Sequence, residues 1–388
     1  MTIDTSNWDK VTLGDIAQSL TIATKDPLSE GLERYVGLEH IEPGNIHIKS
    51  WGNVADGTTF TRVFRKGQVL FGKRRAYQKK AAMAEFDGIC SGDILVCEAI
   101  KDAVVPELLP FIVQSYRFFE HAIKTSAGSL SPRTKFKDLA KFTFKLPAKP
   151  ADQKRIADLL WSIDEATAKK KSLLNELKQL FRVVVEETIV NTKGESIQLR
   201  DIASKTVNGF VDGDWIESKD QSEEGIRLLQ LADIGVGVFL DKSRRFITED
   251  TFKRLNCFEV LPGDILLARM PDPIGRACIV PDIGYKMITA VDCCVIRVDE
   301  KLHNKLYWVH LLNSDSMKRK IESLASGTTR SRISRKNLEA IQVYCPAKKD
   351  QDRIVNGMIG LRGNIDAVAE SIGLQYQIQK QIINQIFE

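Results

Sequence analysis

The sequence contains two copies of one long segment, and this duplication limits the possible folds more than any other feature. Leu13-Gly-Asp-Ile-Ala17 returns as Leu199-Arg-Asp-Ile-Ala203 near the start of the second copy. The end of the first copy, residues 147–156, returns as residues 346–354 with one residue deleted. Each copy spans roughly 190 residues, far more than one unit of a solenoid. The chain is therefore a duplicated domain, and each copy is followed by its own tail.

We expect four segments from this repeat. Residues 1–150 and 197–347 form two homologous domains of the α/β class, and residues 151–196 and 348–388 form helical tails. Short apolar runs bounded by glycine or proline predict strands in both domains. These runs lie at 67–71, 92–97, 142–146, 263–267, 293–298 and 341–344. Longer runs with helical spacing predict helices at 108–124 and 302–324.

Both tails repeat apolar residues at alternating spacings of three and four, the pattern of a coiled-coil seam. An apolar stripe on a helix must be covered, so we expect the two tails to pack on each other as an antiparallel coiled coil that separates the two domains. The predicted seam residues of the first helix are Ile156, Leu159, Ile163, Leu173, Leu177 and Leu180. Those of the second helix are Ile354, Leu361, Ile365, Val368, Ile372, Ile382 and Ile386.

Nothing in the sequence indicates that this chain itself catalyses a reaction. Residues 67–73 have the glycine and lysine spacing of a phosphate loop, but Arg74 follows where Ser or Thr would hold the metal ion. The five histidines are scattered, and the pair His40 and His47 has no carboxylate or cysteine at ligand spacing, so we predict no metal site. The sequence also lacks a nucleophile with an adjacent base, and a methyltransferase or dinucleotide motif. We therefore predict neither catalytic residues nor a bound cofactor in this chain.

The composition is that of an ordinary globular protein, with 43% hydrophobic and 28% charged residues. The sequence contains no apolar run long enough to span a bilayer. The N-terminal segment is acidic and lacks the apolar stretch of a signal peptide. The seven cysteines form no Cys-x-x-Cys pair, which indicates a reducing compartment. We predict a cytoplasmic protein that does not contact membranes.

The basic residues are clustered, although the net charge is only +5. Eight of them lie from Arg62 to Lys80 with no acid, and seven from Lys318 to Lys336 opposed only by Glu322. Arginine holds guanine or phosphate with paired hydrogen bonds, and lysine supplies point charges. Local patches on a nearly neutral chain predict contact with DNA. The predicted contacts are Lys73, Arg74, Arg75, Tyr77, Lys79, Lys80, Ser129, Arg133, Lys135, Arg269, Arg276, Thr328, Arg330, Arg332, Arg335 and Lys336.

The order of these features resembles the specificity subunit of type I restriction–modification systems, over essentially the whole chain. The marks of this resemblance are the Leu-x-Asp-Ile-Ala starts at Leu13 and Leu199, the glycine-containing loops at Gly128 and Gly327, and the helix entries at Pro147 and Pro346. Family members usually carry Glu before the Gln of the helix entry, where this chain has Asp152 and Asp350. That substitution is conservative and leaves the match intact.

The resemblance implies a non-catalytic DNA-reading scaffold. Each α/β domain would be a target-recognition domain that reads one half of a split site in double-stranded DNA, and the helices would set the gap. Modification (methyltransferase) subunits would dock on the helical region, bring S-adenosylmethionine and methylate adenine. A restriction (translocase–nuclease) subunit would bring ATP and Mg²⁺. Adenine methylation implies that the target base is flipped out of the DNA stack into a partner's site.

Three alternatives stay open on the sequence alone. A tandem-domain DNA-binding regulator would share the basic patches but has no need for long duplicated helices. A stand-alone enzyme is opposed by the missing nucleophile, metal and cofactor motifs. A specificity-like subunit of another multi-subunit DNA-modification defence system is compatible with all of these features.

Overall fold

The computed structural model describes residues 5–205, 209–271, 273–327 and 331–387. Contacts within the chain divide it into two units. Unit 1 comprises Met1–Ser172 and Ala369–Glu388, and unit 2 comprises Leu173–Val368. Each unit contains one α/β domain and a part of each long helix.

The α/β domain of unit 1 is built from three small sheets. Its strands are β1 (Asp9–Thr12), β2 (Ala17–Leu20), β3 (Arg34–Val36), β4 (Gly52–Asn53), β5 (Arg62–Phe64), β6 (Val69–Gly72), β7 (Ala81–Met83), β8 (Gly88–Cys90), β9 (Ile94–Ala99) and β10 (Thr143–Leu146). Its short helices are α1 (Leu13–Ile16), α2 (Leu109–Gln114), α3 (Tyr116–Lys124) and α4 (Phe136–Leu139). The sheets have the strand orders β1-β10, β2-β9-β6-β7 and β4-β3-β8-β5. Neighbouring strands are antiparallel except for β3 and β8.

The sheet β2-β9-β6-β7 is covered on both faces. Val69 and Phe71 of β6 pack in the core that includes α2 and α3, whereas Leu70 packs in the core shared with the sheet β4-β3-β8-β5. Because neighbouring residues of a strand point to opposite faces, each of these positions must be apolar. This burial explains why β6 reads as an uninterrupted apolar run instead of an alternating one.

The α/β domain of unit 2 repeats this plan. Its strands are β11 (Glu195–Gln198), β12 (Phe210–Asp212), β13 (Gln221–Ser222), β14 (Ile226–Leu229), β15 (Phe246–Ile247), β16 (Ile265–Ala268), β17 (Ala277–Ile279), β18 (Met287–Thr289), β19 (Cys293–Ile296) and β20 (Gln342–Cys345). Its helices are α6 (Glu249–Arg254), α7 (Lys305–Leu312), α8 (Asp315–Leu324) and α9 (Arg335–Glu339). The sheet orders are β11-β20, β12-β19-β16-β17 and β13-β15-β14-β18. The parallel pair β14–β18 is the counterpart of β3–β8.

The predicted strands are confirmed to within a few residues, but each predicted domain helix is two helices. Residues 108–124 break between α2 and α3 at Ser115, and residues 302–324 break between α7 and α8 at Ser314. Both serines have extended backbones, and their side chains accept the N–H of the residue three positions later. Each serine is therefore an N-cap that starts the second helix in a new direction.

The two tails form the long helices α5 (Pro150–Val185) and α10 (Lys348–Ile386), and α5 continues as a π-helical turn over Glu186–Val190. In unit 1 the helices are antiparallel. Lys170 Nζ donates to Ser371 Oγ at 2.6 Å, and Gln379 Nε2 donates to the Leu160 carbonyl oxygen at 3.4 Å. The predicted antiparallel helix pair is confirmed. In the described residues, no helix is both long and apolar enough to cross a membrane.

All predicted seam residues of α10 are at least half-buried, whereas three of those in α5 are exposed. In α10 the predicted residues are buried (Ile365, Ile372, Ile386) or half-buried (Ile354, Leu361, Val368, Ile382). In α5 the half-buried ones are Ile156, Ile163 and Leu177, but Leu159, Leu173 and Leu180 are 47%, 45% and 50% exposed. Their neighbours Leu160, Leu174 and Phe181 are buried or half-buried instead. Each exposed leucine is followed directly by another apolar residue, so two heptad registers fit the sequence. The structure uses the register that covers the second residue of each pair.

A buried glutamine ties the start of each long helix to its own domain. The Gln153 side-chain amide donates to the Pro147 carbonyl at 2.8 Å, and its oxygen accepts the Val105 N–H at 2.9 Å. Gln351 repeats this arrangement with the Pro346 carbonyl and the Asn304 N–H, both at 2.9 Å. Buried polar groups must be hydrogen-bonded, so this glutamine fits only where all of these partners are present.

Candidate nucleic-acid interface

Three loops that are distant in the sequence meet in unit 1. They are the basic loop (73–80) after β6, the aspartate loop (91–93) before β9 and the Ser/Arg loop (126–135) between α3 and α4. The Lys73 N–H donates to the Asp93 carbonyl at 3.0 Å, and the Lys73 carbonyl accepts the Thr134 N–H at 3.0 Å. The Arg75 N–H donates to the Pro132 carbonyl at 2.7 Å. We call this arrangement the unit 1 junction, and it joins two patches that the sequence predicted separately.

The carboxylate of Asp93 lies between two of the predicted arginines. Arg133 donates to it from Nε at 2.8 Å and from Nη2 at 3.3 Å, and Arg74 donates from Nη1 at 3.4 Å. The hydrogen bond from Arg133 is the main reason that the pKa of Asp93 is below its ordinary value. The carboxylate therefore stays ionised at neutral pH and holds both guanidinium groups.

Two turns carry exposed side chains at this junction. Arg75 and Lys79 have left-handed backbones, with φ of 55° and 54°, and enclose a short 3₁₀ turn whose Tyr77 is exposed. Gly128, in the Ser/Arg loop, has a φ of 115°, a conformation that only glycine adopts without strain. Leu130, near the tip of this loop, is 90% exposed. Ser129, Arg133 and Lys135 on the same loop are also exposed.

The side chains of the last two residues of the basic loop contact other parts of unit 1. Lys80 Nζ donates to the Leu38 carbonyl at 2.5 Å, and Lys79 Nζ lies 5.0 Å from the centre of the Tyr116 ring. Lys80 therefore has a structural role that the sequence prediction missed. Earlier in the same basic run, Arg62 is also held within the domain, by the Ile94 carbonyl at 2.6 Å.

Unit 2 contains the same loop junction. The Arg269 N–H donates to the Asp292 carbonyl at 2.9 Å, and the Arg269 carbonyl accepts the Ile333 N–H at 3.1 Å. They correspond to two bonds of unit 1, from the Lys73 N–H to the Asp93 carbonyl and from the Thr134 N–H to the Lys73 carbonyl. Arg332 occupies the place of Arg133, and its Nη2 lies 3.6 Å from a carboxylate oxygen of Asp292. We call this arrangement the unit 2 junction.

The prediction of DNA contacts at Arg269 and Arg276 is wrong, because both side chains are buried. Arg269 is 6% exposed; its Nε donates to the Ile333 carbonyl at 3.0 Å, and its Nη1 bonds to Asp212. Arg276 is 7% exposed and donates to backbone carbonyls, among them that of Ile234 at 2.7 Å. These arginines hold loops of unit 2 together.

The remaining predicted contacts of unit 2 that the structure describes are partly or fully accessible. Arg335 Nη1 donates to the Phe210 carbonyl at 3.1 Å and to Glu339 at 3.0 Å, with its side chain 40% exposed. Lys336, on the same helix α9, is exposed. Thr328 and Arg330 lie outside the described residues.

Sequence reasoning missed the two aspartates and two exposed apolar residues. Asp93 and Asp292 directly precede β9 and β19, so aligning the two copies strand by strand would have paired them. Leu130 lies within the Ser/Arg loop, and Trp215, three residues after Asp212, is 69% exposed. Across the described parts of the chain, no cluster of three or more His, Cys, Asp or Glu side chains could hold a metal ion.

Comparison with known proteins agrees with the internal repeat. The model of the type I restriction modification DNA specificity domain matches residues 5–179 and again residues 190–369. The chain is similar to the type I restriction enzyme MjaVIII specificity subunit of Methanocaldococcus jannaschii, with 23% identity over 406 aligned positions that cover 97% of this chain and 91% of the relative. It is also similar to the type I restriction enzyme EcoDI specificity subunit of Escherichia coli, with 26% identity over 154 residues. That match covers 37% of this chain and only 32% of the relative.

Two solved structures share the fold. One comes from work on complex assembly and conformational transition of the type I R-M system, with a TM-score of 0.64, 18% identity and coverage of 99% of this chain and 98% of that one. The other is the type I restriction–modification S subunit from M. genitalium, with a TM-score of 0.56, 13% identity and coverage of 100% and 98%. The chain belongs to the type I restriction–modification specificity family and carries its DNA specificity domain twice.

Proposed function

We propose that this chain is the DNA-recognition subunit of a type I restriction–modification complex. Each junction reads one half of a split site in double-stranded DNA, and the paired helices set the gap between the halves. One observation carries this proposal: the same three-loop junction occurs in both units, each time with a partly exposed arginine beside an aspartate. A duplicated reader fits a site that has two separate halves.

The side chains of the unit 1 junction suit two kinds of DNA contact. Hydroxyl and ammonium groups, such as those of Ser129 and Lys135, hold phosphates and fix the register of the protein on the duplex. Arginine reads base edges in the major groove, where each base pair presents its own pattern of donors and acceptors. We assign Arg133 and Arg332 to base reading because each is held at its own junction.

The chemistry of the complex belongs to other subunits in this proposal. Modification (methyltransferase) subunits supply S-adenosylmethionine and methylate adenine, and a restriction (translocase–nuclease) subunit supplies ATP-driven movement and cleavage with Mg²⁺. The names of the relatives, which are specificity subunits of restriction enzymes, support this division. We propose that the exposed Leu159, Leu173 and Leu180 of α5 contact a modification subunit, because exposed apolar surface often marks an interface. The complex would act on DNA in the cytoplasm.

Methylome sequencing of cells that express the modification subunit with and without this chain tests the proposal. We expect adenine methylation at one bipartite sequence only when the chain is present. Methylation that does not depend on the chain, or that falls on a short continuous sequence, would contradict it. Methyl transfer by the isolated chain would contradict the assignment of a non-catalytic role.

A further inference from the structure

The guanidinium of Arg133 is exposed at the surface of unit 1 and yet has a fixed orientation. Asp93 accepts hydrogen bonds from its Nε and Nη2, which form one edge of the planar group. An arginine side chain has five N–H donors in a rigid fork. Nη1 of Arg133 has no hydrogen-bond partner among the described residues. The end of the fork, formed by Nη1 and the outer N–H of Nη2, is therefore available to a ligand.

An ionised aspartate is an unexpected component of a surface that binds a polyanion, because it repels phosphates. Backbone hydrogen bonds that do not involve its carboxylate also join the loops. The bond that brings the basic loop to the aspartate loop uses the backbone carbonyl of Asp93, and the Ser/Arg loop is held through the Lys73 carbonyl. The carboxylate contacts Arg74 and Arg133, so its effect falls on the arginines.

An aspartate and an arginine also lie side by side in unit 2, on a different local sequence and at a longer distance. The backbone carbonyl of Asp292 accepts the Arg269 N–H, as that of Asp93 accepts the Lys73 N–H. Arg332 lies 3.6 Å from the Asp292 carboxylate and also donates to the Val291 carbonyl at 3.1 Å. The residues around the two aspartates differ, but the acid and its arginine are present in both copies.

We propose that Asp93 is a positioning residue for base reading. Asp93 holds one edge of Arg133 so that the end of the fork meets two hydrogen-bond acceptors on one base. In the major groove, guanine presents such a pair, O6 and N7. The half-site read by unit 1 therefore contains a guanine whose recognition depends on Asp93. This inference rests on the proposed function and adds the residue that makes one contact selective.

The variant Asp93→Asn in the complex with its modification subunit tests this role. Asn keeps the backbone bond to Lys73 but loses the charge that fixes Arg133. We expect the preference for the correct G·C pair over a substituted pair to fall by roughly tenfold at one position of one half-site. Affinity for unrelated DNA should be unchanged or higher, because a negative charge is lost. The matched control is Asp87→Asn, which removes the same charge from the surface pair with Arg65 at 3.1 Å and should keep wild-type discrimination.

Several results would overturn the inference. The first is a folded Asp93→Asn variant that keeps wild-type discrimination. The second is a loss of discrimination that is equal in both half-sites, and the third is a loss that is confined to A·T pairs. If Asp93→Asn does not fold, Asp93→Glu keeps the charge but moves the carboxylate by one methylene, and intermediate discrimination is expected. Wild-type discrimination in folded Asp93→Glu would then reject the role. A wild-type complex without any sequence preference contradicts the proposed function instead.

Discussion

At the residue scale, equivalent positions in the two units carry basic residues with different roles. Lys73 and Arg269 make the same backbone hydrogen bonds, but Lys73 is partly exposed and Arg269 is buried against Asp212 and backbone carbonyls. The sequence predicts a DNA contact at both positions, because it does not show whether a basic side chain is buried. Only the arrangement of the loops shows which guanidinium groups are already bonded within the protein.

The pair Arg269→Met and Arg133→Ala separates these roles. Arg269→Met leaves buried carbonyl groups without a donor, and we expect it to lower the free energy of unfolding by about 1–3 kcal/mol. Arg133→Ala changes an exposed side chain, so its thermal unfolding should match the wild type. Its DNA recognition should weaken by about 1–3 kcal/mol in one half-site only. Thermal unfolding and binding to half-site variants measure both effects, and a fully stable Arg269→Met with weakened DNA binding would reverse the assignment.

His47 links the α/β domain of unit 1 to helix α5. Its Nε2 lies 2.6 Å from an oxygen of Asp164, and its Nδ1 bonds to Glu85. The hydrogen bond with Asp164 is the largest cause of a raised pKa for His47, above its ordinary value of 6.5. The protonated ring donates from both nitrogens, so this bridge is strongest when His47 is charged.

This raised pKa predicts a pH-dependent contribution to stability. The contribution is fully present below the unfolded-state pKa and is lost as the pH rises through the higher folded-state pKa. The unfolding temperature of His47→Gln should therefore fall below that of the wild type by more at about pH 6 than at about pH 9. Asp164→Asn should reduce this pH dependence. If the difference in unfolding temperature between the wild type and His47→Gln is the same at both pH values, the bridge does not cause a pH-dependent stability.

At the element scale, α5 shows what the sequence could and could not predict. The helical type and the antiparallel pairing follow from the apolar spacing, and the structure confirms both. The face that is covered was ambiguous because Leu159-Leu160 and Leu173-Leu174 fit two registers. Contact with the domain core resolves the ambiguity, since Leu160 packs there with Ala157. The break of the domain helices at Ser115 likewise depends on a serine that reads as an ordinary helical residue.

Adjacent leucines in α5 give a direct test of this register. Leu160 is fully buried, and Leu160→Ala should cost about 2–5 kcal/mol through lost contacts and a cavity. Leu159 is 47% exposed, and Leu159→Ala should stay within about 0.5 kcal/mol of the wild type. Chemical denaturation of the two variants makes the comparison. If Leu159→Ala lowers the free energy of unfolding as much as Leu160→Ala, or more, the register predicted from the sequence is the correct one.

At the scale of the whole molecule, the duplication predicted most of the organisation. The sheets β1-β10 and β2-β9-β6-β7 recur as β11-β20 and β12-β19-β16-β17, as expected for two copies of one domain. The site was predicted less completely, because its main contacts join loops far apart in the sequence. Arg133 was predicted as a DNA contact, whereas its partner Asp93 lies 40 positions away and was not predicted.

The paired helices give a prediction about the unread spacer in the DNA. Seven residues inserted after Ser172 in α5, together with seven before Ala369 in α10, lengthen each helix by about 10 Å and nearly preserve its phase. We expect both half-site sequences to persist and the spacer to grow by about three base pairs at ~3.4 Å each. Methylation mapping measures the spacer. An unchanged spacer in an active complex would show that the helices do not set it, and insertion into α5 alone should break the pairing and abolish methylation.

The most direct test of two independent readers is methylation mapping after one domain is exchanged. Residues 197–347 would be replaced by the corresponding segment of a family member that recognises a different sequence, with residues 1–196 and 348–388 kept. We predict that one half of the methylated site changes to that of the donor, while the other half and the spacer stay as in the wild type. A change in both halves, or in neither, in a complex that still methylates DNA would contradict the assignment of one half-site to each unit.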